Sequence, residues 1–443
     1  MKKIKIWIII LIVIIAIVSI ALIININTTG KIGDETLDPE YTDDEIIVVN
    51  TLQHLDTKND YFMVKSCINS YYDMINGMYA DYSEYYSQSE IQENIKYYEN
   101  GIYNLLGKEY IREFGITADN LYNKYKKIGE SKLILDEIKY YDISSDVSLY
   151  LVKGKNVNYT NYKQEEISLM VVIDYYNRAY SIYPWEYVEK HKLNQYEIGQ
   201  QVNFSIEEIE KNKNNTFVYK NYTNEDMAKE YFEIYKFKML NLAEEAYNEL
   251  DEEYANKRFG SVKNYKNYIK DSYSEIYISS INSYDANENK DYTEYVCKDQ
   301  YDNLYIFKEK SIMDYTVTLD TYTLEQAKFT TEYEKANNQK KVMMNIDKFF
   351  QMINAKDYSS AYNCLADSFK NNYFKTEASF EQYIKTNLYR YNIVTYRTFS
   401  DEVAGIYQYR LTITNKQDMN NEKDFNIVMK LNSGTDFEMS FEV

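Results

Sequence analysis

Histidine is nearly missing from this chain: His54 and His191 are the only two among 443 residues. A Ser-His-Asp triad, a His-rich zinc site or a Cys-His pair would need them in a shared pocket. One stands at the entrance to the first expected unit and the other at its end, so exposed structural roles are expected for both. Cysteine is scarce too, with Cys67, Cys297 and Cys364 odd in number, far apart and without CxxC spacing. That pattern excludes a disulfide framework and leaves room for at most one bridge, with isolated small core residues the expectation. The 12 glycines and 2 prolines exclude collagen-like and low-complexity disorder. They also leave no phosphate-cradling glycine loop, and neither G-x-S-x-G nor HExxH occurs. Basic residues fall short of acidic ones, 50 against 69, for a formal net charge of -19. Such a field repels phosphate backbones, so no nucleic acid partner is expected; negative charge is also how exported domains stay soluble.

What is present is core material. Hydrophobic residues make up 45% of the chain, enough for about two to four domains at this length. The 52 tyrosines, with the excess of Ile, Lys and Asn, read as the codon bias of an AT-rich genome, because a binding platform would concentrate them in one element.

The N-terminus carries Lys2, Lys3 and Lys5 and then an uncharged run from Ile6 to Ile24 broken only by Ser19. At about 1.5 Å per helical residue the run reaches about 28 Å, near bilayer thickness. No Ala-x-Ala site or lipobox cysteine follows, so an uncleaved anchor is expected. The positive-inside rule then places residues 1–5 in the cytoplasm and the bulk outside. The expected division is a cytoplasmic tail at 1–5, a transmembrane anchor at 6–26 and a linker at 27–50.

The rest repeats. "AYNELDEEYANKRFGSVKNYKNYI", Ala246 to Ile269, meets "AYNCLADSFKNNYFKTEASFEQYI", Ala361 to Ile384, after a shift of 115 residues without a gap. Identical pairs are Ala246/Ala361, Tyr247/Tyr362, Asn248/Asn363, Leu250/Leu365, Asn256/Asn371, Phe259/Phe374, Tyr268/Tyr383 and Ile269/Ile384. A weaker third copy, Ile102 to Gly115, keeps Tyr103, Asn104, Leu106, Glu109 and Tyr110, then Phe114-Gly115 after one deletion. The apolar positions recur while the acids do not, which is what packing leaves behind. Three units are therefore expected: a divergent one at 51–192, one at 224–323 after a linker at 193–223, and one at 335–443.

Each unit places helical periodicity before strand periodicity. In the second, Met227, Tyr231, Ile234 and Phe237 recur at helical spacing behind a Thr223 or Asn224 cap. Gly260-Ser261 stops one helix and caps a short second one carrying Tyr265, Tyr268 and Ile269. Four period-two runs follow at 277–285, 292–299, 303–310 and 314–322. The third unit has four runs between 391 and 443, and the first has four between 131 and 188. The fold class expected is α+β: an N-terminal transmembrane helix followed by three tandem units of helices packed on a curved antiparallel sheet.

Element order and the A-Y-N-x-L…F…(Y/F)-x-x-Y-I string at 246–269 and 361–384 resemble the nuclear-transport-factor-2-like, cystatin-like cone, also used by ketosteroid isomerases. The string is also similar to repeats in uncharacterised membrane-anchored proteins of low-GC Gram-positive bacteria. The resemblance implies a shape and little about activity.

No residues select themselves for chemistry: no catalytic, cofactor-binding or metal-ligating set is expected, and no cofactor. In an isomerase-like cone a buried acid facing a tyrosine could serve as base and oxyanion donor, but nothing in the sequence picks one pair. "DANENKD", Asp285 to Asp291, lacks the central glycine and terminal glutamate of a calcium loop and reads as a hairpin connection. Asn248 and Asn363 either bond to backbone at a helix break or line the cone. Arg258 is set to pair with Asp251 or Glu252. The function expected is a non-enzymatic, membrane-anchored cell-envelope protein presenting tandem extracytoplasmic domains to a protein or peptide partner, or to copies of itself. Two alternatives stay open: a component of a conjugative-transfer or secretion complex, and a small-ligand binder or isomerase-like enzyme using one cone.

Overall fold

The computed structural model describes residues 46–47, 53–54, 58–126, 128–142, 146–159, 161–193, 201–202, 222–324 and 327–443. Within them the helix-then-sheet order occurs three times. The first unit has α1 (Lys58–Tyr79), α2 (Gln88–Leu105), α3 (Lys108–Phe114) and α4 (Leu121–Tyr125). Strands β3 (Ser131–Asp142), β4 (Val147–Asn158), β5 (Gln164–Asp174) and β6 (Ala179–Pro184) follow, then α5 (Trp185–Lys190). The second has α6 (Asn224–Asn241), α7 (Ala243–Asn248), α8 (Glu252–Arg258) and α9 (Val262–Ile278). Its strands are β8 (Ile281–Glu288), β9 (Thr293–Asp299), β10 (Leu304–Ser311) and β11 (Asp314–Thr318). The third runs α10 (Ala327–Lys335), α11 (Asn338–Asn354), α12 (Tyr358–Asn363), α13 (Asp367–Tyr373) and α14 (Glu377–Asn387). It closes with β12 (Asn392–Val403), β13 (Ile406–Asn415), β14 (Asp418–Leu431) and β15 (Phe437–Phe441).

The main sheet of each unit is an antiparallel meander in chain order. The second and third have four strands, whereas the first gains a fifth, β2 (Gln53–His54), on the outer edge of β3. Two short strands, β1 (Ile46–Ile47) and β7 (Gln201–Val202), pair with each other in a separate ladder.

One part of the expected fold class is corrected. A transmembrane helix was to precede the units, yet among the described residues no helix is long and apolar enough to cross a membrane. The architecture the structure presents is α+β with three antiparallel sheets. The physical reason lies in how its long helices are used: each rests on a sheet or a neighbouring helix and turns charge outward. Helix α1 carries Asp73, α2 carries Glu93 and Lys96, and α6 carries Glu225 and Lys229 on their exposed faces. The expected tail at 1–5 and anchor at 6–26 lie outside the described residues, as do most of the expected linkers.

Local chemistry explains the helix starts. Thr223 caps α6 in a reciprocal box with Asp226, and Ser261 caps α9 by accepting from the Asn264 N–H. Gly260 ends the preceding segment at φ 67°, a left-handed conformation that suits glycine. The helix behind it is not short: α9 runs 17 residues. The expected strand at 277–285 accordingly starts late, because Tyr277 and Ile278 complete the last turn of α9. Likewise the last strand expected in the first unit runs on to Val188, whereas Trp185–Lys190 is a helix entered through Pro184.

The interiors are aromatic. In the second unit α6 lays Tyr231 and Tyr235 on a sheet face made by Tyr295, Cys297, Tyr305, Phe307 and Val317, all buried. The third packs Ile346, Phe349 and Phe350 of α11 on Leu411, Phe425, Ile427 and Phe441. The first and second units share one continuous core, joined further by a small cluster of Ile134, Val157, Ile234 and Leu242.

Candidate functional site

The repeated string has one structural job. Leu106, Leu250 and Leu365 each form a parallel bridge to the last strand of their own sheet, at Ile182, Val317 and Met439. Matching backbone bonds surround it: Gly107 N–H donates to Ile182 O at 3.0 Å, Asp251 N–H to Val317 O at 3.0 Å, and Ala366 N–H to Met439 O at 2.9 Å. The helical string thus adds a single rung to the sheet and locks the two layers. Ala246, Leu250, Phe259, Ile269, Ala361, Leu365, Phe374 and Ile384 are buried, while Tyr247, Tyr268, Tyr362 and Tyr383 are half-buried. Asn248 and Asn363 are exposed, each the last residue of a short helix, so they do not line a cone. A residue with poor helix propensity stands where the helix must break.

Tyrosine–carboxylate pairs, which the sequence could not single out, are numerous. Tyr231 Oη donates to Glu309 at 2.6 Å, Tyr254 to Asp320 at 2.8 Å and Tyr183 to Glu109 at 2.7 Å, all buried. Burial pushes the Tyr231 and Tyr254 hydroxyls well above the ordinary phenol range, and the adjacent carboxylates add to it. Each proton is committed to its own acid, inside a ring of further aromatics such as Tyr295, Phe307 and Tyr315 around Tyr231. These pairs knit helices to sheets.

Arg258 departs from its expected partners. Asp251 instead caps α8, accepting from the Tyr254 N–H. The Arg258 guanidinium lies between Asp320 of its own unit and Asp357 of the next, and donates to Ala355 O at 3.3 Å. Burial works against the cation, but Tyr322, Asp357, Tyr254 and Asp320 outweigh it and raise its pKa further. Beside it Arg390 Nε donates to Glu275 Oε1 at 2.7 Å, Lys356 stands 3.2 Å from the same carboxylate, and Tyr301 stacks on Tyr391 at 4.7 Å. The second and third units therefore meet across a charged and aromatic seam. The seam between the first and second is similar in kind: Lys155 pairs with Glu245 at 2.9 Å, Lys65 with Glu230, and Phe62 stacks on Tyr222 at 4.1 Å.

A half-open groove of about 250 Å³ lies between α10 and α11. Tyr322, Phe329 and Met344 line it, with Glu332, Lys340, Asp347 and Gln351 at its exposed rim. Asp347 accepts from Tyr396. The acid sits at the rim of the groove and its tyrosine is not among the lining residues, so the pair is not the floor of a cone.

Among the described residues no group of three or more His, Cys, Asp or Glu side chains is placed to hold a metal ion. His191 Nε2 lies 2.7 Å from Glu113, its ring 4.4 Å from Tyr187. The side chain of His54 lies outside the described residues. Cys67, Cys297 and Cys364 are all free thiols. "DANENKD" is the end of β8 and its hairpin turn, closed by Asn289 N–H donating to Tyr292 O at 2.9 Å. Missed altogether were Asp320 and Asp357; the one legible signal was Asp357 ahead of Tyr358-Ser359-Ser360, where its side chain caps α12.

The chain matches no protein-family model, and no curated protein is significantly similar to it.

Proposed function

We propose that this protein is a non-enzymatic tandem-domain scaffold that presents binding and assembly surfaces to another protein or peptide. The observation that carries this reading is the use of interior polar groups: in three buried pairs, Tyr231–Glu309, Tyr254–Asp320 and Tyr183–Glu109, tyrosine and carboxylate are spent on one another. The charged seams support it, because they hold successive units in a defined relation, which is what a multivalent platform requires. Helices followed by a four-stranded antiparallel meander support the likeness to nuclear-transport-factor-2-like cones, and an extracytoplasmic location belongs to the same proposal. Cross-linking in intact cells followed by pull-down tests it. Recovery of a defined partner supports the reading, and recovery of the protein alone overturns the hetero-partner form.

A second reading, a small-ligand binder, is favoured by the groove between α10 and α11. Lys340→Ala, at an exposed rim position, would then abolish a ligand-induced melting shift without changing the melting temperature of the free protein.

A further inference from the structure

Each sheet begins with a strand at one edge: β3, β8 and β12 in the three units, counting β3 as the first strand after the helices. In the first unit that edge is occupied, since β2 pairs antiparallel with it, Gln53 opposite Tyr140 and His54 opposite Lys139. In the second unit β8 has β9 on one side and, among the described residues, no strand on the other. We propose that the outer edge of β8 is a docking site for an extended, Lys- or Arg-bearing segment of a partner protein, added antiparallel as a fifth strand. This rests on the scaffold reading above and names the surface and the kind of partner.

The register shows which groups are on offer. The hairpin closes on the hydrogen-bonded pair Asn289 and Tyr292. Counting back, Glu288 opposite Thr293, Ala286 opposite Tyr295 and Tyr284 opposite Cys297 are the non-hydrogen-bonded pairs. Their N–H and C=O groups point away from β9, toward the open edge. From Ser283 to Glu288 the register is regular, so these groups repeat at the spacing an incoming strand needs. By contrast β12, the equivalent edge of the third unit, breaks register twice, after Tyr396 and after Ser400, and such bulges blunt an edge.

Charge selects the occupant. Asp285 and Glu288 on β8 and Asp291 in the turn are exposed, with Glu294 across from Asn287. Lys298 and Lys290 offset them only in part. A second copy of β8 would set like charges against like, which disfavours pairing, whereas a basic strand would be drawn in. An apolar anchor lies at the start of the strand. Tyr273 and Tyr277 stack at the end of α9 with rings 6.2 Å apart, and Tyr277 and Ile278 are 63% and 56% exposed. An antiparallel segment would set its basic residues on the face of Asp285 and Glu294 and its apolar ones on the opposite face beside Tyr284 and Ala286, and end with its C-terminal side against these rings. Extended peptides add to open edges in this manner, with backbone bonds giving affinity and side chains giving specificity.

The test titrates the whole protein with a synthetic Lys-Val-Lys-Val-Lys-Val-Tyr peptide and with its Glu-for-Lys counterpart, following amide hydrogen exchange. The expected result is protection of the Tyr284, Ala286 and Glu288 amides by the basic peptide alone. Binding should weaken about tenfold or more in Asp285→Lys, whose side chain is exposed. Tyr284→Pro should also abolish it, since it removes an outward N–H and leaves the β8–β9 bonds in place. Unchanged exchange at saturating peptide, equal binding of the two peptides, or wild-type affinity in the charge-reversed variant would each overturn the assignment. Partner recovery from cells that is insensitive to both variants would leave the scaffold reading standing and this edge refuted.

Discussion

Arg258 of the second unit stands with its Nε 3.3 Å from Oδ2 of Asp357 in the third, and 3.6 Å from Asp320 of its own unit. All three side chains are nearly sealed from water, so the ion triad is a joint between domains. Removing the cation strands two carboxylates in an apolar setting. Arg258→Gln is expected to cost about 3–5 kcal/mol and to split the denaturant transition of units two and three. Asp357→Asn in the same chain should recover part of the loss. A single unsplit transition with a change under about 1 kcal/mol, by far-UV circular dichroism in urea, would contradict the coupling.

The neighbouring pair sets a pH dependence. Burial alone would raise the Glu275 carboxyl, but the hydrogen bond and charge of Arg390, aided by Lys356, hold it below the ordinary carboxylate range. A depressed folded pKa means that the stabilisation is present above the unfolded carboxylate range and is lost as pH falls through the folded value. Wild type should therefore lose its stability advantage over Glu275→Gln on acidification from neutrality. Parallel melting curves for the two proteins across that window would refute the assignment.

Thiol reactivity should follow burial. Burial pushes Cys297 up to about 12 and Cys364 to about 11, and raises Cys67 further. Cys67 and Cys297 are buried whereas Cys364 is partly exposed. Ellman's reagent at pH 8 should modify Cys364 first and the other two only on unfolding. Rapid modification of all three thiols in the native protein would show that the first and second cores open readily.

Gly154 has no room for a side chain. A Cβ there would lie 2.3 Å from the backbone carbonyl oxygen of Ile134, on the paired strand β3 where the register slips between Leu135 and Glu137. Backbone cannot swing aside as a side-chain tip can. Gly154→Ala should lower the melting temperature of the first unit, whereas Gly405→Ser, with open space but a φ of 78°, should cost only its backbone strain, about 1–2 kcal/mol.

The shared leucine provides a test of the repeat itself. Leu250→Ala and Leu365→Ala each empty a buried position at the helix-to-sheet rung and should cost about 2–5 kcal/mol. The two values should be similar, because the surroundings are equivalent. A large difference in urea midpoints would show that the units have diverged in packing despite the common string.

Three copies of a helix-then-sheet unit were legible in the amino-acid string, because period 3.6 and period 2 are local properties and the apolar positions of a copied motif must keep their spacing. Helix caps were legible for the same reason: Thr223 and Ser261 bond three residues away. Charges were not. Arg258 has acids within reach along the chain, yet its partners lie 62 and 99 residues further on, where only packing of one unit against the next could bring them. The tyrosine–carboxylate pairs escaped likewise, since burial chooses among many identical residue types and burial is a property of the whole fold. Whether an edge is occupied is decided last of all. Strands β3, β8 and β12 begin their sheets alike, and only tertiary structure shows that the first has a neighbour in β2 while β8 turns its unpaired backbone groups outward.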